Sequence, residues 1–128
     1  MAQTSKTLLD TSILVDYLRQ LPPAVNFLDS LKLPCISVIT GMEIIQGSRN
    51  KRELKINLSF LKNFRIVEID NKISKTAMRF LKNYQLKYNA KILDAFIAAT
   101  ALSKNKILLT KNIKDFHFID GINVELPY

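Results

Sequence analysis

The chain has 128 residues, 48% of them hydrophobic and 23% charged, which is enough for one buried core and too few for two. Cys35 is the only cysteine and His117 the only histidine, which excludes an intrachain disulfide, argues against a Cys/His zinc site or a Cys-His nucleophile, and leaves oxygen to hold any metal. A formal net charge of +8 favours a polyanionic partner, with lysines merely decorating a solvated surface as the competing reading.

In chain order, Thr7 to Asp10 reads as a short apolar strand, and Thr11 to Arg19 continues with Ile13, Leu14, Tyr17 and Leu18 at the spacing of a helix face. Pro22-Pro23 ends that helix and begins another, in which Val25, Phe27, Leu28 and Leu31 share a face. Pro34 then opens a second strand over 35–37, and a helix runs from about Val38 to Gly47. A further helix over 52–64 aligns Leu54, Leu58 and Leu61, and 65–69 alternates like a strand. The segment 71–88 is the clearest helix, with Ile73, Ala77, Phe80, Tyr84 and Tyr88 on one face and Lys72, Lys75, Arg79 and Lys82 on another. An alanine-rich helix over 94–103, a strand over 106–110, one helical turn at 113–116 and a last strand over 122–126 complete the chain.

Strands alternating with helices predict an α/β, three-layer sandwich, in which a mostly parallel twisted sheet carries helices on both faces. Asp10 interrupts the apolar run at Leu8-Leu9 before it could form a signal-peptide core. The longest apolar stretch, Ala95 to Leu102, falls short of the ~18 to 20 residues that cross a bilayer. No membrane span and a cytoplasmic location are therefore expected.

Ligands of such sheets bind beyond the carboxyl ends of the strands, so the acids nearest those ends are the candidates for chemistry. Asp10 follows the first strand directly, where it serves equally well as a helix N-cap or a metal ligand. Glu43 stands three residues after Thr40, the spacing of a capping box, and spacing alone favours capping. Asp94 lies among Ile92, Leu93, Ala95 and Phe96, where a carboxylate is costly without a partner, and this favours function. Asp115 belongs with Thr110 and Asn112 just past a buried strand, where turn chemistry is the simpler explanation of each alone. Asp16 reads most simply as an exposed helix residue, with a supporting contact behind the acids as the lesser alternative. Asp10, Asp94 and Asp115 are placed after strands and Glu43 on a helix leaving one; carboxylates gathered in one cleft repel unless a divalent cation, magnesium or manganese, neutralises them.

The blocks that carry these acids resemble the PIN-domain ribonucleases, and specifically the VapC-type toxins of toxin-antitoxin pairs. Leu-Leu-Asp-Thr-Ser-Ile-Leu-Val-Asp-Tyr-Leu at 8–18 is similar to the family's opening motif, Ile-Ser-Val-Ile-Thr-Gly-Met-Glu-Ile-Ile-Gln-Gly at 36–47 to its second, and Leu-Asp-Ala-Phe-Ile-Ala-Ala-Thr-Ala at 93–101 to its third. The fourth block, Leu-Thr-Lys-Asn-Ile-Lys-Asp-Phe at 109–116, departs from the pattern, with Asn112 where the family often has an acid. The resemblance implies a single PIN-like nuclease domain over 1–128 with Asp10, Glu43 and Asp94 as catalytic, metal-holding acids. Asp115 or Asn112 takes the fourth position, with Ser12 and Thr110 beside them.

What the resemblance further implies is a magnesium-dependent endoribonuclease toxin, with manganese as the alternative ion, that hydrolyses RNA by an activated water and leaves a 5′-phosphate. It also implies a homodimer and a cognate antitoxin laid in a groove that Leu14, Tyr17 and Leu18 would line, unless they fill the core. Arg49, Lys51, Arg52 and Lys91 are the candidate RNA-backbone contacts. Two rival readings stand beside this one. A receiver-like signalling domain would share the α/β order, Thr110 and Lys111, but its usual adjacent acid pair and acidic balance are missing. An inactive PIN-like module that binds RNA or protein would not need Asp10, Glu43 and Asp94.

Overall fold

In a computed structural model that describes residues 6–128, the predicted alternation of strands and helices is present throughout. Strand β1 (Thr7–Leu9) leads into helices α1 (Thr11–Leu18) and α2 (Pro22–Asp29), and β2 (Cys35–Ser37) into α3 (Val38–Gln46) and α4 (Lys51–Leu61). Strand β3 (Arg65–Val67) precedes the helical hairpin of α5 (Asn71–Tyr88) and α6 (Ile92–Ser103). The chain closes with β4 (Ile107–Leu109), a 3₁₀ turn (Ile113–Asp115) and β5 (Val124–Glu125).

All four strand pairings are parallel, in the order β3-β2-β1-β4-β5. From β1 the chain winds outward through β2 to β3, then crosses back to place β4 on the other side of β1. The boundary between β1 and β4 is thus the switch point, where the crossovers diverge and leave a crevice at the carboxyl edge. This order also overturns the receiver-like alternative, whose sheet runs 2-1-3-4-5.

Because successive strand residues face opposite sides, each short strand feeds two cores. Leu8, Cys35 and Leu108 pack with Ile73, Ala77, Phe80 and the alanines of α6, whereas Leu9, Ile36 and Leu109 pack with Ile13, Leu14, Leu28, Ile44 and Leu61 from α1 to α4. Each large side chain withdrawn from water contributes about 2 kcal/mol. Leu14 is fully buried, which decides between the two readings offered for it: it fills the core and lines no open groove. Tyr17 stacks on Phe60 at 5.3 Å between ring centroids and donates to Asp29. Among the described residues, no helix is long and apolar enough to cross a membrane.

Helix α5 starts with Asp70, whose Oδ1 accepts the Ile73 amide at 2.8 Å, and ends at Asn89 in the left-handed region (φ 57°). Asn tolerates that conformation better than a branched residue does, and the reversal it makes lets α6 begin three residues later, packed along α5. Asp94 consequently sits in the first turn of α6. This corrects its expected position after a strand: what precedes it is a helix and a tight reversal, and it meets the other acids through packing of the hairpin.

Candidate active site

Asp10 stands where β1 ends, its amide donating to the Leu109 carbonyl of β4 at 2.9 Å. It occupies the N-cap position of α1 without making a side-chain capping bond. Instead its Oδ2 accepts the Thr110 hydroxyl at 2.7 Å and the Ser12 hydroxyl at 3.0 Å, while the carboxylate is only 5% exposed. Those hydroxyls are themselves fixed, since Thr110 Oγ1 accepts the Asn112 amide at 2.9 Å and Ser12 Oγ the Lys111 amide at 3.2 Å. The switch point is therefore closed by a hydrogen-bonded net that holds the Asp10 carboxylate in one orientation.

The capping explanation of Glu43 is also overturned. The N-cap of α3 is Ser37, whose Oγ accepts the Ile39 amide at 3.1 Å, and Thr40 is buried inside the helix. Glu43 reaches across to α1, where Oε1 accepts the Thr11 hydroxyl at 2.6 Å. Having given its one proton there, Thr11 faces the Thr40 hydroxyl at 3.0 Å as an acceptor.

Asp94 faces the same cleft from α6. Burial, then the charges of Asp10, Asp115 and Glu43, push its carboxyl up to about 6, and Lys91 alone pulls the other way. That all three other acids act on Asp94 is electrostatic evidence of their convergence. Asp115 is exposed on the 3₁₀ turn, whereas Asn112 lines the cleft itself. Both candidates for the fourth position are thus close to the site, Asp115 through its charge and Asn112 through its place in the wall.

The cleft has a volume of about 540 Å³ and exposes Asp10, Glu43, Asp94 and Asn112 together with two cations, Arg19 and Lys111, that are not among the four candidate RNA contacts of the sequence. Arg49 is instead paired with Glu53 through Nη2 to Oε2 at 2.7 Å and Nε at 3.1 Å. Lys91 borders an adjoining groove of about 830 Å³ between α5 and α6, and Lys51 and Arg52 lie in the first turn of α4, outside the cleft wall. Asp16, expected on solvent, turns into the cleft and accepts the Tyr128 hydroxyl at 2.8 Å.

Among the described residues no three His, Cys, Asp or Glu side chains form a ready metal-holding group. Magnesium is ordinarily held by one or two carboxylates and keeps several waters, so it needs no such group. An open set of hard oxygen donors, with one carboxyl raised by burial and then by its neighbours' charge, fits such an ion.

Fold and site together define a single α/β unit with an acidic cleft at the switch point of its parallel sheet. Residues 7–121 match the PIN domain family. The chain is 40% identical to Ribonuclease VapC1 of Methanocaldococcus jannaschii, over 97% of this chain and 88% of that protein. Its fold is similar to that of a toxin-antitoxin complex from Klebsiella pneumoniae, with a TM-score of 0.80 and 31% identity across 96% of this chain and 98% of that one. The crystal structure of FitAcB from Neisseria gonorrhoeae is similar too, with a TM-score of 0.76 and 27% identity across 94% and 97% of the two chains. The chain belongs to the PIN-domain family.

Proposed function

We propose that this protein is a metal-dependent endoribonuclease that acts as the toxin of a toxin-antitoxin pair, with magnesium as its ion and manganese as the alternative. The observation that carries the reading is the convergence of Asp10, Glu43 and Asp94 on one cleft at the switch point, expressed in the raised proton affinity of Asp94. The ribonuclease name of the Methanocaldococcus relative and the toxin-antitoxin title of the Klebsiella structure support the choice of RNA as substrate and of an antitoxin as partner. A homodimer is part of the same proposal.

Asp10 and Asp94 would hold the ion from opposite walls of the cleft. When bound, it would supply charge relief at the phosphoryl oxygens and a lower proton affinity for a water beside them. Ser12 and Thr110 keep Asp10 aimed, a role in which loss of a partner ordinarily costs 10- to 100-fold. Glu43, whose Oε1 is steadied by Thr11, would orient the attacking water or a second ion, and its other carboxylate oxygen would take the water's proton. No side chain becomes the nucleophile: water would add to phosphorus, the P–O3′ bond would break, and the 3′ oxygen would leave and take up a proton, so the phosphate stays on the 5′ end of the downstream fragment.

Purified protein incubated with mixed cellular RNA tests this reading. Cutting is expected with magnesium, is expected to stop with chelator, and is expected to be lost in Asp10→Asn and Asp94→Asn. Cutting that persists in both variants, or in chelator, overturns it.

A further inference from the structure

A phosphodiester entering a cleft walled by Asp10, Glu43 and Asp94 meets like charge, so the site needs cations that touch the backbone near the acids. The structure divides the basic residues of this region into two kinds. Arg49 is neutralised: Glu53 takes its guanidinium through both carboxylate oxygens and its backbone amide at 3.0 Å. Lys111 is held differently. Its ammonium lies 4.6 Å from the centre of the Tyr128 ring, which attracts a cation without cancelling its charge.

The Tyr128 ring is itself anchored, since its hydroxyl donates to Asp16 and its face packs at 5.9 Å on Phe27. The Lys111 amide is tied to Ser12, the same hydroxyl that steadies Asp10. Lys111 is therefore fixed at both ends, keeps its full charge, and lines the acidic cleft. Arg19, just past the end of α1, lines the same cleft and forms no ion pair among the described residues.

We propose that Lys111 and Arg19 are the residues that grip the RNA phosphates at the cleft, and that Tyr128 is a positioning residue that presents Lys111 as an unneutralised cation. The inference rests on the nuclease reading for its substrate. It deepens that reading by assigning backbone contact to two residues outside the four that residue type had suggested.

The test measures binding of a labelled single-stranded oligoribonucleotide by fluorescence anisotropy across a potassium chloride series, in an Asp94→Asn background that prevents cutting. Each phosphate contact contributes about 0.7 to the slope of log affinity against log salt on single strands. Lys111→Ala and Arg19→Ala are each expected to make the slope shallower by about that amount, while Arg49→Ala leaves it unchanged. Tyr128→Leu is expected to weaken binding, Tyr128→Phe to do so less because the ring remains, and Tyr128→Leu to add nothing in a Lys111→Ala background. With Asp94 intact, Lys111→Ala is expected to raise KM more than it lowers kcat. Unchanged slopes in both Lys111→Ala and Arg19→Ala overturn the grip, and a full effect of Tyr128→Leu without Lys111 overturns the positioning role. If the unsubstituted protein cuts RNA while the slopes stay put, the grip alone fails. If the slopes shift but nothing is cut, the nuclease reading fails and the grip stands.

Discussion

The two walls of the acidic cleft are built on opposite principles. On one, Asp10 grows out of paired parallel strands, is almost wholly buried, and has its Oδ2 satisfied by Thr110 and Ser12. On the other, Asp94 is carried by the first turn of a helix, is part-exposed, and has its proton affinity set by burial and neighbouring charges with no hydrogen bond contributing. One wall is preorganised by hydrogen bonds, and the other holds a carboxylate disfavoured first by burial and then by repulsion, which a proton or a cation relieves. A pair of acids that looks equivalent in sequence should therefore respond differently to the same substitution.

Activity is where the two walls should agree. Removing either carboxylate as Asp10→Asn or Asp94→Asn is expected to lower the rate of RNA cleavage about a thousandfold, the several kcal/mol that an anchored ion supplies. Next in size, Thr110→Val removes the donor to Asp10 and the acceptor of the Asn112 amide, and should raise the magnesium concentration for half-maximal cleavage by about 10- to 100-fold. A Thr110→Val protein with an unchanged magnesium requirement would show that the net does not aim Asp10.

Stability is where the walls should part. Thermal melts in chelator are expected to show Asp10→Asn destabilised by about 1–3 kcal/mol, because two hydroxyls lose a charged acceptor. Asp94→Asn should instead stabilise the metal-free protein near pH 8. The Asp94 pKa is raised in the folded state, so its contribution is favourable below the unfolded value of 3.8 and is lost as pH rises through about 6. For a fully buried group a rise of that size is about 3 kcal/mol. Screening at a part-exposed carboxyl reduces this to about 1 kcal/mol. The gain of Asp94→Asn over the unsubstituted protein should therefore vanish near pH 4, and equal stability of the two proteins at pH 8 would contradict the cost of the charged carboxylate there.

The strand-centred wall was legible in the sequence and the helix-centred wall only in part. Leu8-Leu9 followed by Asp10, and Leu108-Leu109 followed by Thr110, show strand ends through local pattern, and parallel pairing brings them together. Asp94 could be singled out because a carboxylate among Ile92, Leu93, Ala95 and Phe96 is costly. Its approach to Asp10 was not legible, because it depends on the left-handed Asn89 and the packing of α5 against α6. The Thr40–Glu43 spacing misled locally, since an identical pattern serves a cap or a reach to another helix, and only the position of Ser37 tells them apart. Lys111 and Arg19 were not legible as RNA contacts for a related reason. What distinguishes them from Arg49 is the company they keep, and the Asp16–Tyr128 bond that supports Lys111 joins residues 112 positions apart.

On the proposed function the two walls would share one cation, whose binding would relieve the burial and repulsion of charge at Asp94. Calorimetric titration with manganese near pH 6 in buffers of different ionisation enthalpy tests it most directly, because Asp94 is about half protonated there. The account predicts release of about half a proton per ion bound by the unsubstituted protein, no such release from Asp94→Asn, and much weaker binding by both Asp10→Asn and Asp94→Asn. Manganese binding of equal affinity in all three proteins, without proton release in any, would contradict it.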